Sequence, residues 1–142
     1  MVRSVLGVIA GAIVWMAGFF ILATLLAQLW PAYGTHAREW TQNKVFTFTA
    51  LMACCNLLFW FIGEVVAGWT SAKITRQHAA IWVLAILIGG YLASLHLILF
   101  WSSFPWWYNL GVVIPAIPAV LLGSRLGKSL ARDRLPAQGD PA

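Results

Sequence analysis

Four long apolar runs, each bounded by polar or basic residues, decide what this chain can become. They cover about residues 5–30, 45–69, 79–101 and 107–124 of the 142. A hydrocarbon layer about 30 Å thick is crossed by about 20 apolar residues in α-helix. In lipid every backbone polar group must be satisfied within the segment, which a helix achieves. The expected fold is an all-α integral membrane protein, a four-transmembrane-helix bundle forming one transmembrane domain over residues 1–142. Composition agrees, with 61% hydrophobic and only 9% charged residues, against about 25% charged in soluble domains. The first run far exceeds the apolar core of about 7–15 residues in a secretory signal, so it is expected to stay as a span.

The formal charge of +5 does not point to nucleic acid. The basic residues stand at the ends of apolar runs, where lipid headgroups and the insertion machinery read them. With the N-terminus inside, the cytoplasmic segments hold Arg3, Lys73, Arg76, Arg125, Lys128, Arg132 and Arg134. The outer segments hold Arg38 and Lys44. Seven against two places both termini in the cytoplasm of a multi-pass protein of the bacterial cytoplasmic (inner) membrane. Indoles collect at the headgroup level. Trp30, Trp40, Trp101, Trp106 and Trp107 accordingly fall at the outer ends, Trp69 and Trp82 flank the inner turn, and Trp15 and Trp60 lie deep in spans.

Residues 31–44 (PAYGTHAREWTQNK) read as the one sizeable external loop. Tyr33, His36, Arg38, Glu39 and Trp40 on it are placed to contact a partner or a headgroup. The SSFPWWYN hairpin between spans three and four reads as interfacial. Residues 125–142 read as a basic cytoplasmic tail that favours anionic lipid. Cys54 and Cys55 point about 100° apart on a helix and lack the C-x-x-C spacing of a redox pair, so they read as packing residues.

Helices in lipid associate through small residues and through polar groups with no better partner. In span two, Thr49, Ala53, Asn56, Gly63, Glu64, Ala67 and Ser71 gather on one side. Leu51, Leu58, Phe61, Ile62, Val65 and Trp69 form the other, which should face lipid. Gly7, Gly11 and Gly18 share a face of span one, and Ala85, Gly89, Ala93 and His96 a face of span three. Span four carries Pro115 and Pro118, expected to kink it, and Gly123-x-x-x-Gly127 near its end.

Three polar residues are candidates for binding or proton handling. Glu64 lies about 9 Å from the middle of its span. An ionisable group there is costly unless paired, protonated or hydrated, and so carries a functional hypothesis. Its structural alternative is a hydrogen-bonded bundle carboxyl, or one reaching cytoplasmic water or Lys73. His96 lies in the outer half of span three, on the other side of the midplane, so the two are not a pair. Asn56 is nearer in depth, and an Asn56–His96 hydrogen bond is expected. Haem would need two axial ligands. His78 and His96 are 18 residues apart on one helix and cannot reach one iron, which leaves His36 with His96 as a loop-assisted arrangement. No metal site and no resident cofactor are expected, and no hydrolase, nucleotide or zinc motif appears.

The pattern Gly63-Glu64-x-x-Ala67-Gly68-x-x-x-Ala72, a short basic turn, His78-Ala79 and Pro105-x-x-Tyr108 resembles small four-span bacterial membrane proteins of uncharacterised activity. The resemblance covers most of the chain through packing motifs and implies a bundle without implying a reaction. A single intramembrane Glu in four spans is also similar in outline to small multidrug transporters, whose acidic residue is in the first span, where this chain has none. The preferred reading is a non-enzymatic protein acting by association, as an accessory or scaffold subunit with other membrane chains or as a homo-oligomer. The alternatives are an oligomeric transporter or channel using Glu64, and a haem or redox subunit using His96.

Overall fold

A computed structural model of the chain describes residues 1–75 and 77–132. Arg76 and residues 133–142 of the basic tail, Arg134 among them, lie outside the described residues. Helix α1 runs Val2–Leu29, α2 Pro31–Asn43, α3 Ala50–Ile74, α4 His78–Ala93 and α5 Trp106–Arg132. A wide π-type turn, Ser94–Leu99, continues α4. Four of these helices, with the turn counted into α4, are long and apolar enough to cross a membrane. There is no strand among the described residues.

Proline explains the first break. Trp30 is held at φ −129° and ψ 88°, out of the helical region, as residues before proline tend to be. Pro31 then starts α2 at a position where its missing N–H is not needed. The segment read as an external loop is therefore a helix of 13 residues. Lys44 ends it in the left-handed conformation, φ 56°, with its ammonium 4.8 Å from the centre of the Trp40 ring. Residues 45–49 are not helical, so the expected second span starts about five residues late. Thr49 caps α3, its hydroxyl accepting from the Met52 N–H at 3.4 Å.

Around the bundle the helices run α1, α3, α5, α4, with little contact across the diagonals. Glycines set the approach of neighbours. A Cβ on Gly68 would run into the Val120 carbonyl, and one on Gly123 into that of Val65. The two notches interlock α3 and α5 at backbone contact. Gly7 and Gly11 seat α1 on Thr75, Ser71 and Leu84, Gly89 admits Ile117, and Gly127 meets Trp69 and Ala72. Gly63 is looser, since a Cβ there would stand 3.6 Å from the Trp15 ring. At Gly18 a Cβ would meet nothing within 4 Å, because no neighbouring helix approaches there, so its expected packing role is not seen. Helix α5 runs unbroken through both prolines.

The expected lipid face of α3 is only partly right. Leu51, Leu58, Ile62 and Trp69 are exposed, while Phe61 and Val65 are half-buried. Val65 is drawn in because its carbonyl abuts Gly123.

Candidate functional site

At the α2 end of the bundle α1 and α4 part, and aromatic side chains fill only some of the space between them. A cavity of about 350 Å³ remains. Helix α1 contributes Trp15 and Phe19, α2 contributes Tyr33, Ala37 and Trp40, and α3 contributes Asn56 and Trp60. Tyr91, His96, Phe100, Phe104 and Tyr108 close the far side. The rings brace one another. Trp60 stacks on Phe19 at 3.9 Å, Trp15 meets Tyr91 edge-on at 5.7 Å, and Phe104 stacks on Tyr108 at 5.0 Å. On the stretch before α3, Phe46 packs against Phe104, and Phe48, itself part of the wall, packs against Tyr33. The exposed members of the wall are Met16, Phe20 and Tyr91 on α1 and α4 and Thr41 on α2, which places the mouth between α1 and α4 with Thr41 at its α2 side.

Asn109, fully buried, organises the polar side of the wall. Its amide nitrogen donates to the carbonyls of Trp101 and Phe104, each at 3.3 Å. That fixes which way the amide faces, so its oxygen accepts from His96 Nδ1 at 3.0 Å. An imidazole that gives its proton at Nδ1 keeps a bare lone pair at Nε2. Nε2 has no protein partner among the described residues, and the ring forms part of the cavity wall. The turn that carries His96 is of the wide type that recurs at functional positions in helices.

The expected Asn56–His96 bond is not formed. Asn56 Nδ2 donates to the Tyr108 hydroxyl at 3.0 Å, because α5 lies between the two and presents a nearer acceptor. Tyr33 and Trp40, expected to face an outside partner, instead line the cavity, and Tyr33 is 3% exposed. Burial, with a smaller contribution from the Cys55 thiolate, pushes the Tyr33 phenol up to about 12. It therefore remains an O–H donor, and no protein acceptor for it is present among the described residues. His36 does not turn toward His96. Its Nδ1 is 2.8 Å from the Thr47 hydroxyl, which itself donates to Glu39. Arg38 is exposed.

Among the described residues, six buried side-chain N or O atoms have no hydrogen-bond partner. Three belong to residues of this wall: Trp15 Nε1, Trp40 Nε1 and Asn56 Oδ1. Leaving such a group unpaired costs about 1–3 kcal/mol, so their concentration around one cavity is informative. The other three are both carboxyl oxygens of Glu64 and the Ser71 hydroxyl. Glu64 is fully buried, does not line the cavity and does not reach Lys73, whose ammonium lies over Trp69 at 5.5 Å. The bundle-carboxyl reading thus stands without its expected hydrogen bond. His78 lies at the opposite end, 3.3 Å from Lys128 Nζ.

Sequence reasoning missed most of this wall. The SSFPWWYN hairpin was expected to sit in the interface, yet Phe104, Tyr108 and Asn109 turn inward. Two signals were present: Trp15 and Trp60 lie too deep for interfacial indoles, and Asn109 is an amide inside an aromatic run. No protein-family model, curated protein or solved structure matches the chain, so function is argued from this site.

Proposed function

We propose that the protein is a non-enzymatic binding protein of the bacterial cytoplasmic membrane that takes an uncharged lipophilic molecule into the aromatic cavity. The reading has both termini inside, as the Lys/Arg bias supports, and so sets the cavity in the outer leaflet with its mouth open to lipid. One observation carries it: a cavity of about 350 Å³, large enough for a small ligand, is walled by rings, and three of its lining residues, Trp15, Trp40 and Asn56, carry buried polar atoms without partners among the described residues. Among the described residues the wall contains no Lys, Arg, Asp or Glu, which disfavours a charged headgroup. Association with other chains, the preferred expectation from sequence, rested on small-residue faces in search of a partner. Those faces are largely occupied by the bundle's own helices.

The test is native mass spectrometry of the protein extracted from its own membrane in mild detergent. A retained lipophilic mass on the wild type that is absent from Ala37→Trp, which fills the cavity from α2, supports the proposal. No such mass, or equal retention by the filled variant, overturns it. A stable assembly with other chains and an empty cavity would restore association as the better reading.

A further inference from the structure

The polar pattern of the wall narrows the ligand further, and this step rests on the binding function proposed above. With Asn109 holding the Nδ1 proton, His96 offers the cavity an acceptor at Nε2. Tyr33 offers a phenolic O–H from the facing helix α2, with no protein acceptor among the described residues. A molecule that answers both must donate as well as accept, and a hydroxyl does both. Around that group the walls are planar rings, among which Trp15 meets Tyr91 edge-on, Trp60 stacks on Phe19 and Phe104 stacks on Tyr108. Offset and edge-to-face ring contacts add to area burial, so an aromatic ligand gains more here than an aliphatic alcohol. The mouth between Met16, Phe20 and Tyr91 is apolar and open to the side, which suits a chain trailing into lipid.

From this geometry we infer that the ligand is a hydroxylated aromatic ring on an apolar chain, of the phenol or quinol class, whose hydroxyl donates to His96 Nε2 and accepts from Tyr33. Binding alone is inferred, with no electron or group transfer.

The probes are 4-decylphenol, its methyl ether 4-decylanisole, and decylbenzene, each titrated onto the delipidated protein in nanodiscs and followed by native mass spectrometry. The phenol is expected to saturate at one per chain. The ether, which has no hydrogen to give, should bind about ten-fold more weakly, the scale of one hydrogen bond. His96→Asn keeps a donor for Asn109 but removes the Nε2 acceptor, so it should bring the phenol down to the level of the ether. The ether comparison uses the wild type and needs no variant to fold. Equal binding of phenol, ether and hydrocarbon, all blocked by Ala37→Trp, would overturn the hydroxyl inference and leave the cavity function standing. Failure of all three to saturate, or indifference to Ala37→Trp, would remove the cavity function as well.

Discussion

Asn109 and His96, on successive helices, share a hydrogen bond of 3.0 Å whose direction is set by the other half of the Asn109 amide. Because the amide N–H₂ is committed to the Trp101 and Phe104 carbonyls, the imidazole must be the donor. Nitrogen-15 NMR of the histidines should therefore find His96 as the Nδ1–H tautomer. An Nε2–H tautomer would reverse the polarity assigned to the cavity. Asn109→Leu should cost about 1–3 kcal/mol for each buried group left unpaired and shift the His96 signal, read by thermal unfolding and the same spectra.

The Asn56–Tyr108 bond is separable from that pair. In a double-mutant cycle Asn56→Ala and Tyr108→Phe should couple by about 0.5–1.5 kcal/mol. Asn56→Ala and His96→Asn should add more nearly independently, since the two side chains do not hydrogen-bond. Stronger coupling to His96 than to Tyr108 would return the pairing expected from depth alone.

Glycines of similar appearance in the sequence should differ sharply on substitution. Gly68→Ala and Gly123→Ala each drive a methyl into the facing backbone carbonyl, and overpacking of this kind costs about 1–3 kcal/mol. Gly18→Ala meets open space and should gain about 0.5–1 kcal/mol through helix propensity. Unfolding in detergent followed by circular dichroism reads all three. Equal effects would mean that α3 and α5 do not touch through these notches.

Glu64 should be dispensable for folding. Among the described residues neither carboxyl oxygen has a partner, and Glu64 is fully buried, so Glu64→Met removes an uncompensated desolvation term and should raise stability by about 1–3 kcal/mol. A fall of that size would reveal a bonding partner and return attention to proton or ion handling.

The proposed orientation is tested by labelling. In a chain with Cys54 and Cys55 replaced by alanine, Lys44→Cys should react with a membrane-impermeant maleimide on intact cells, and Lys73→Cys only after permeabilisation. The opposite pattern would put the cavity in the inner leaflet.

The long apolar runs were legible because length and hydropathy act additively along a segment. Boundaries were less so. Phe46 and Phe48 continue the second run in hydropathy, yet they stand outside α3 and pack as single rings against α5 and α2. Helix α2 was read as a loop because its mean polarity hides the pattern of Tyr33, Ala37 and Trp40, spaced four and three apart behind a helix-starting Pro31. The cavity was hardest to see. It depends on two helices parting and on rings from all five helices and two connecting stretches converging, and no local spacing records that.

The wide turn at Ser94–Leu99 gives one helix two separate loyalties. In regular α-helix each residue advances about 100°, so fitting one extra residue into a turn rotates everything beyond it relative to everything before. Ahead of the turn, Ala85 and Gly89 belong to the close-packed seam of the bundle. Within and after it, His96 and Phe100 belong to the chamber. Deleting one residue there would restore a regular spiral and leave the seam intact, while swinging the imidazole about a quarter of a circle. The turn therefore lets the imidazole be re-aimed while Ala85 and Gly89 keep their places in the seam, so sequence change can retune what the chamber recognises without unbuilding the helices that hold it.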